Sequence, residues 1–329
     1  MNVSDAYKYL GVVFTAKGMV SAPILEGIQE GLGRLNGIGL TVFERYITLR
    51  DHLIPRLVYS LTYGKVSQSQ VRQAEQVVRL AVRDWMKLAR DTPREFYYAP
   101  TSAGGLALNE LEVRRKLFHN KRMSSLRDSK DPIIRAIIAQ DPKYVRPQQA
   151  IIGGLLYRDS DKAETLYAKA LWAKTDTCGL ASTAQGHRNF MFLTDRGQKH
   201  NDATFCAAVQ IMAGAPLTKA KRARFTQLPN RNKCESCGDR IKNLQHILQV
   251  CPRVRGARIK RHDQVQALLE VSLKAKNKKF HKDNIIPMGG TVRKPDLVII
   301  DEKKISVVDP TIVSDTLSLQ ESSKLRWSL

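Results

Sequence analysis

Two short β-branched runs lie close together: residues 294–300 read KPDLVII and residues 305–309 read ISVVD. The polar residues 301–304 separate them, a pattern that predicts a β-hairpin. Antiparallel pairing, counted from the centre of that turn, places Asp296 opposite Asp309. Their Cβ atoms are then about 5 Å apart, where two carboxylates repel by roughly 3 kcal/mol at an effective dielectric constant near 20. A divalent cation between them would reverse that sign, so the pair is a candidate metal site.

The alternative is that both aspartates are purely structural, with one capping a strand end and the other beginning a turn before Pro310. The rest of the hairpin argues against it. Leu297, Ile299 and Val308 make the opposite face apolar as well, and strands that are apolar on both faces belong in the middle of a covered sheet. We therefore predict a buried hairpin with two acids at its end.

A second metal motif is Cys234-x2-Cys237-x8-His246-x4-Cys251. Two cysteines separated by two residues can hold one side of a tetrahedral Zn²⁺, and a histidine and cysteine on a short helix after Leu244 can close it. With all four positions filled, the site is structural and leaves no place for a catalytic water. Such a site can contribute about 10–16 kcal/mol to folding a small loop. The alternative is a chance grouping of three cysteines and a histidine.

Composition sets the broad class. A chain of 329 residues should hold two or three domains, and with 43% hydrophobic residues it can bury cores. It contains no run of eighteen apolar residues and does not begin like a signal peptide, so we expect a soluble intracellular protein. Five cysteines is an odd number, which argues against a disulfide framework. Cys178 and Cys206 are expected to be ordinary buried thiols.

The charge is high and uneven. The formal net charge is +23, and residues 216–294 hold twenty Lys/Arg against five Asp/Glu, which makes +15 of that total. Such clustering favours a nucleic-acid partner over a generally basic solvated surface. A membrane surface is the weaker option, because this region shows no amphipathic basic helix with aromatic anchors. Lys221, Arg222 and Arg224 in the basic run 218–224 are candidate phosphate contacts, although such runs are often only solvated loops.

The remaining patterns are mainly helical. The spacing at Ser67 is that of a capping box, which predicts the start of a helix. After it, Val71, Ala74, Val78 and Val82 recur with the 3.6-residue period of a helix, so we expect them to face the core. A glycine turn at 103–106 interrupts the helices. We predict a strand over 7–14 and helices over 22–36, 41–63 (bent at Pro55), 67–88, 109–126, 163–172, 261–275 and 317–327. On the 261–275 helix, Val265, Leu268 and Leu269 are expected to face inward.

Three of these stretches resemble a known family. YKYLG at 7–11, WMKLARD at 85–91 and GGL at 104–106 look like the end of the palm and the thumb of a reverse transcriptase of the type-1 (non-long-terminal-repeat) retrotransposable elements that insert into ribosomal RNA genes. A polymerase palm needs adjacent catalytic aspartates, and the sequence has no Asp-Asp dipeptide. The resemblance therefore implies a C-terminal fragment that begins after the polymerase site. A helical connector of unrelated origin is the alternative.

The hairpin fits the same resemblance. Paired acids at the end of a buried hairpin resemble the core of restriction-enzyme-like nucleases, which implies catalytic Mg²⁺ at Asp296 and Asp309. That fold usually has a lysine two residues after the second acid, where this chain has Thr311. Either Glu321 and Lys324, one helical turn apart, supply the missing groups, or the nuclease is inactive. The Glu321–Lys324 pair is alternatively a surface ion pair.

The resemblance also assigns contacts with nucleic acid. It implies that the Cys-Cys-His-Cys knuckle reads nucleic acid and that the triplet Arg261-His262-Asp263 contacts DNA. Lys294 beside the hairpin is a further candidate contact with nucleic acid. His262 is alternatively a satisfied core or capping histidine. The partners implied are a DNA target and the element's RNA, and the implied location is nuclear.

These inferences combine into one expectation. The fold class is α+β and mostly helical: a helical polymerase-thumb-like bundle and connector, a zinc knuckle, then a partial restriction-endonuclease-like α/β domain. The function is that of a retrotransposon polyprotein, with endonuclease nicking that primes reverse transcription. The alternative is a catalytically inactive, zinc-dependent nucleic-acid-binding module. The expected domains are 1–20 (end of the palm), 21–130 (thumb), 131–215 (helical linker), 216–258 (basic knuckle) and 259–329 (nuclease, expected to be incomplete).

Overall fold

The computed structural model forms two compact units, Met1–Pro216 and Leu217–Leu329. It describes residues 6–9, 12–140, 148–152, 155–157, 163–184, 190–195, 197, 201–214, 216, 218–223, 232–282, 285–288, 291–301 and 304–310. Over these residues the chain is mostly helical with small antiparallel sheets, which confirms the expected class at that level. No helix within these ranges is long and apolar enough to cross a bilayer.

Unit 1 is a helical assembly with two small antiparallel sheets. Its described elements are β1 (Tyr7–Tyr9), β2 (Val12–Thr15), β3 (Gly18–Met19), α1 (Ile24–Gly37), α2 (Val42–Thr48), α3 (Ile54–Tyr63), α4 (Gln68–Met86), α5 (Arg94–Tyr98), α6 (Leu111–Arg127), α7 (Pro132–Gln140), β4 (Ala150–Ile152), β5 (Leu155–Tyr157), α8 (Ala163–Trp172), α9 (Leu180–Thr183) and α10 (Asp202–Met212).

The core of unit 1 follows the apolar periodicity. Val71, Ala74, Val78 and Val82 of α4 are all buried, and α1 contributes its own buried stripe to the same cluster. Ser67 caps α4 as its spacing predicts, since its side chain accepts a hydrogen bond from the main-chain N–H three residues later. These apolar positions therefore form the core of unit 1, as predicted.

The long helix predicted over 41–63 is confirmed as one continuous helical segment with an irregular turn. The segment between α2 and α3, Leu49–Leu53, is a π-helical turn in which the N–H of Ile54 donates to the carbonyl of Leu49. Pro55 has no N–H to donate to the preceding turn, so a local change in hydrogen bonding at this point is expected. The proline therefore perturbs the helix without ending it.

The predicted glycine turn is also present. Gly104 has a φ of 85°, a conformation that costs glycine little. At Gly105 a Cβ atom would lie 2.2 Å from the carbonyl oxygen of Ala99. The two adjacent glycines are thus required for different reasons, one by backbone conformation and one by close backbone approach.

Three expectations for unit 1 are wrong. Residues 7–14 are not one strand, because β1 and β2 pair antiparallel with Tyr7 opposite Phe14. The linker 131–215 is not wholly helical, since β4 and β5 form a hairpin. Cys178 is exposed, because it lies in a turn beyond α8, whereas Cys206 is buried as expected.

Unit 2 contains the knuckle and the hairpin. Its described elements are α11 (Lys219–Ala223), a π-helical turn (His246–Val250), a 3₁₀ turn (Pro252–Val254), α12 (Arg255–Ala275), β6 (Lys279–Lys282), β7 (Ile286–Met288), β8 (Thr291–Arg293), β9 (Leu297–Asp301) and β10 (Lys304–Val308). Strands β10, β9 and β6 form an antiparallel sheet in that order, and β7 pairs with β8.

The hairpin β9–β10 is covered at one end only. Leu297 and Val298, neighbours that point to opposite faces of β9, are both buried. Ile305 and Val307 on β10 are 68% and 58% exposed, because β10 is an edge strand with one neighbour in the described sheet. Burial on both faces is therefore confirmed at the aspartate end of β9 and wrong for β10.

Helix α12 begins six residues before the predicted start at Arg261, and it crosses the predicted boundary between residues 258 and 259. Its buried side chain is that of Gln266, whereas Leu268 is 71% exposed. The expectation that Leu268 faces inward is wrong, because two residues along a helix turn a side chain by about 200°. Val265 and Leu269 are half-buried. The predicted helix over 317–327 lies outside the described residues.

An ionic network with buried carboxylates joins α4, α5 and α8 to Glu110, the residue before α6. Arg94 of α5 lies 2.6 Å from Glu110 and 3.4 Å from Glu75 of α4, and Tyr167 of α8 donates a 2.5 Å hydrogen bond to Glu110. Both carboxylates are almost fully buried. Burial, followed by the nearby Glu110, raises the pKa of Glu75 to about 7. The Arg94 guanidinium bridges the two buried acids, and Arg79 also lies 3.9 Å from Glu75.

We predict that Arg94→Met lowers the free energy of unfolding by about 2 kcal/mol, the usual contribution of a hydrogen bond to a charged group, because Glu75 keeps Arg79 and Glu110 keeps Tyr167 as partners. Because the folded-state pKa of Glu75 is raised, its ionised form is the unfavourable one. The loss should therefore be larger at pH 8 than at pH 6. Denaturant unfolding at both pH values measures it. Arg34→Met is the matched control, since Arg34 pairs with Glu30 on an exposed surface and should contribute less than about 0.5 kcal/mol.

Candidate functional site

Three cysteines and a histidine of unit 2 converge on one point. Cys234, Cys237, His246 and Cys251 each offer a ligand atom, and these atoms all lie within 4.8 Å of one another. The Sγ atoms of Cys234 and Cys251 are 3.8 Å apart, too far for a disulfide. A tetrahedron with Zn–S bonds of about 2.3 Å has edges of about 3.8 Å. The cluster could therefore hold a zinc ion.

Local backbone geometry builds this cluster. The N–H of Gly238, which has a φ of 67°, donates to the carbonyl of Cys234, and the N–H of Cys234 donates to that of Arg240. On the other side, the N–H of Cys251 donates to the carbonyl of His246 across the π-helical turn. The short helix predicted after Leu244 is confirmed, and it carries the histidine and the last cysteine to the same point.

The imidazole of His246 supplies an independent sign of a ligand. The residue is 6% exposed, yet its Nε2 atom has no hydrogen-bond partner. A buried polar atom without a partner costs about 1–3 kcal/mol, and coordination to a metal would remove that cost. The donor set and the orphaned nitrogen both fit a closed metal site.

The thiols differ in their readiness to bind metal. The main-chain N–H of Ser236 lowers the pKa of Cys234. Burial, followed by the neighbouring Cys234, raises the pKa of Cys237. The thiolate is the form that binds a metal, and the main-chain N–H of Ser236 favours that form of Cys234.

The basic residues beside this cluster are not equivalent. Lys221 is only 4% exposed, so its predicted role as a surface phosphate contact is not supported by its position in α11. Arg222 is exposed, and Arg224 lies outside the described residues. Lys219 forms an ion pair with Glu235. The basic run alone could not show which of its lysines and arginines is buried. Five of its residues form α11, and one side of that helix, with Lys221, faces inward.

The hairpin has the register that its turn predicts. Ile300 lies opposite Ile305, and Val298 opposite Val307. The strands are longer than expected, because Asp301 and Lys304 are paired and only residues 302 and 303, outside the described ones, connect them. The register extended by one pair from Leu297 and Val308 brings Asp296 opposite Asp309.

The two aspartates meet at the end of the hairpin together with a histidine. One ligand atom each from His262, Asp296 and Asp309 lies within 4.8 Å of the others. Burial, followed by the carboxyl of Asp309, raises the pKa of Asp296, while His262 opposes the rise. The pair is therefore electrostatically strained in the way that a cation would relieve, and its hard oxygen donors suit Mg²⁺ or Mn²⁺.

Helix α12 reaches both metal-ligand clusters of unit 2. Arg258 donates to the carbonyl of Cys251, and Arg261 donates to that of Leu248, at 2.8 and 3.0 Å. One residue further on, Nε2 of His262 lies 3.0 Å from Oδ2 of Asp296. One helix thus holds the end of the knuckle and the acid pair in a fixed relation.

Other predicted site residues are placed as follows. Arg261 is half-buried and bonded to the protein, whereas Lys294 is exposed beside the hairpin. Glu321 and Lys324 lie outside the described residues. Two contributors were missed by sequence reasoning, Arg258 and Gln266. The signal for Gln266 was its spacing of four from His262, which places both on one side of a helix.

No family model matches this chain. Individual proteins do. The chain is 24% identical over 326 residues to the Retrovirus-related Pol polyprotein from type-1 retrotransposable element R2 of Nasonia vitripennis, covering 98% of this chain and 31% of that protein. It is 26% identical over 323 residues to the corresponding polyprotein from type-2 retrotransposable element R2DM of Drosophila melanogaster, covering 97% and 30%.

A third relative, a Pol polyprotein from a type-1 R2 element of Popillia japonica, is 25% identical over 315 residues, covering 94% of this chain and 64% of its own length. The chain spans about a third of the length of the first two relatives. Similarity at this level over nearly the whole chain, together with the sequence motifs, makes the chain a homologue of the Pol polyproteins of R2 retrotransposable elements.

Proposed function

We propose that this chain is part of a retrotransposon Pol polyprotein and that its unit 2 is a metal-dependent endonuclease that nicks target DNA to prime reverse transcription. The observation that carries the proposal is the meeting of Asp296 and Asp309 at the end of a hairpin with the predicted register. The homology to R2 Pol polyproteins supports the context. The proposed partners are the DNA target and the element's RNA, and the substrate implies a nuclear location.

In this proposal Asp296 and Asp309 bind Mg²⁺, which when bound supplies an activated water and stabilises negative charge on the phosphate. The residues themselves do the positioning. β9 and β10 fix the separation of the two carboxylates, and buried Leu297 anchors the strand that carries the first of them. Glu321 and Lys324 remain the proposed additional catalytic groups, with Lys324 placed against the phosphate.

The finer domain division is part of the same proposal. Residues 1–20 would be the end of a polymerase palm, 21–130 a thumb, 131–215 a linker, 216–258 a basic zinc knuckle and 259–329 a restriction-endonuclease-like domain. The RNA-directed DNA polymerase activity would then belong to the intact polyprotein, because this chain has no adjacent aspartates to hold polymerase metals. The knuckle, Arg222, Arg224 and Lys294 would contact nucleic acid.

A second candidate function has one observation in its favour. Thr311 occupies the position where restriction-like nucleases usually have a lysine, which suits a module that binds nucleic acid through the knuckle and the basic residues without cutting it.

Asp296→Ala should separate the two functions. If unit 2 cuts DNA, the substitution should lower Mg²⁺-dependent nicking of a supercoiled plasmid by at least about a hundredfold and leave salt-sensitive DNA binding intact. Asp239→Ala is the matched control, because the side chain of Asp239 is 99% exposed and lies outside the acid pair. Nicking by Asp296→Ala at the wild-type rate would rule out the catalytic assignment. A wild-type chain that binds but never nicks would favour the binding module.

We predict one structural zinc ion per chain. Chelation, or Cys251→Ser, should lower the melting temperature of unit 2, since zinc binding contributes directly to folding. Elemental analysis gives the stoichiometry, and calorimetry gives the melting curve. Cys178→Ser is the control, because Cys178 is exposed and lies in unit 1. Absence of zinc in the purified protein, or a melting curve indifferent to a chelator, would refute the prediction.

Removal of one acid should have opposite effects with and without Mg²⁺. Asp309→Asn relieves the repulsion at Asp296, so without divalent cation at neutral pH it should stabilise unit 2, by about 0.5–1 kcal/mol after solvent screening at the exposed Asp309. The sign follows from the raised pKa of Asp296, whose ionised form is the unfavourable one in the folded state.

With added Mg²⁺, the wild type should gain melting temperature and Asp309→Asn should not. Thermal scans of zinc-loaded protein at several Mg²⁺ concentrations measure both effects. Equal Mg²⁺ responses in the two proteins would show that the acids do not share an ion.

A further inference from the structure

His262 has a place in unit 2 that the DNA-contact assignment does not explain. We propose that His262 is a third ligand of the ion held by Asp296 and Asp309, and that this site consequently binds Mn²⁺ more tightly than Mg²⁺. The inference rests on the proposed metal-binding role of the two aspartates. His262 would then bind the ion at the reacting centre, whereas the sequence had assigned it a contact with nucleic acid.

The distances fit a shared ion. Nε2 of His262 lies 3.0 Å from Oδ2 of Asp296, and Asp309 offers an oxygen within 4.8 Å of both. Adjacent ligand atoms of an octahedral ion with bonds of about 2.1 Å are about 3.0 Å apart. The histidine nitrogen and the aspartate oxygen form a hydrogen bond at 3.0 Å, and this separation is also that of neighbouring ligands of one ion.

Helix α12 is held by contacts both before and after His262. Arg261, the preceding residue, donates to the carbonyl of Leu248. Gln266, one turn later, is buried and lies with its amide nitrogen 3.5 Å from the carbonyl oxygen of Asp296. These contacts fix the backbone from which the imidazole projects, and a preformed donor position is what a metal site requires.

Asp263 supports the same assignment. Its carboxylate lies 3.5 Å from Nδ1 of His262, on the side of the ring away from Asp296. Histidines that bind a metal usually present their second nitrogen to a carboxylate, which fixes the tautomer and orients the ring. In the triplet, Arg261 would anchor the helix, His262 would bind the ion and Asp263 would orient the imidazole of His262.

The choice of ion follows from the donor set. Mg²⁺ prefers oxygen ligands and gives up its waters reluctantly. Mn²⁺ accepts carboxylate oxygen and, unlike Mg²⁺, belongs to the transition series whose members bind imidazole. One nitrogen among the oxygens should therefore raise the affinity for Mn²⁺ relative to Mg²⁺.

The test uses the 329-residue chain with its knuckle loaded with zinc, which Mn²⁺ does not displace because it binds such sites more weakly. Mn²⁺ is titrated and followed by electron paramagnetic resonance, and pulsed measurements detect coupling of the ion to ¹⁴N. We expect ¹⁴N coupling in the wild type, and its loss in His262→Ala together with a fall in Mn²⁺ affinity of at least about tenfold. The affinity for Mg²⁺, measured by competition, should change less.

His281→Ala is the matched control. His281 lies on β6 opposite Val298 of the same sheet, but it is not a member of the His262–Asp296–Asp309 cluster. Its removal should leave both the ¹⁴N coupling and the Mn²⁺ affinity unchanged. Coupling that disappears in His281→Ala and persists in His262→Ala would overturn the proposal.

The outcomes distinguish this inference from the function on which it rests. If Mn²⁺ binds to the wild type and is lost in Asp296→Asn, but no ¹⁴N coupling is present, His262 is not a ligand while the acid-pair site stands. If neither ion binds in a manner that depends on Asp296, the proposed metal site itself fails. The wild-type spectrum decides the question even if His262→Ala does not fold.

Discussion

The close approach of Asp296 and Asp309 is the constraint around which unit 2 is arranged. Pairing of β9 with β10 brings the two carboxylates opposite each other, because the two-residue connection between Asp301 and Lys304 fixes the register of the hairpin. Burial of Leu297 and Val298 at this end of β9 stabilises a register whose polar consequence is unfavourable. A fold selected only for stability would place at most one charge there. The apolar contacts hold the two carboxylates together, and the proposed cation would relieve their repulsion.

Helix α12 extends that constraint to the knuckle. Its Arg258 donates to the carbonyl of Cys251, itself a member of the Cys/His cluster, and its His262 lies against Asp296. These two contacts lie four residues apart, about one helical turn. A change in the knuckle must therefore move the helix that orients the imidazole. The Cys/His cluster and the His262–Asp296–Asp309 cluster are thus joined through one helix, although they are separate in the sequence.

The features predictable from the sequence are those set by covalent spacing. Turn length determined the pairing of Asp296 with Asp309, and Cys-x2-Cys spacing determined the knuckle. What spacing could not give is which side of an element meets the rest of the chain. Lys221 looked solvated in a basic run and is buried, and Leu268 looked inward and is exposed. The contact of His262 with Asp296 joins residues 34 apart, so it depends on how α12 packs. The periodicity of apolar residues within α12 does not show how this helix packs against the hairpin.

The charge distribution bears on whether unit 2 cuts nucleic acid or only holds it. An uncompensated acid pair repels phosphate, and at physiological ionic strength a charge acts over only about 8 Å. Distant lysines therefore cannot offset the aspartates, whereas groups such as Lys294, two residues from Asp296 and exposed, can. A module that merely bound nucleic acid would gain from losing Asp296 and Asp309 altogether. Asp296 and Asp309 lie just beyond residues 216–294, which carry +15 of the net +23. The proposed cation would lie between the carboxylates and the phosphate and offset their repulsion.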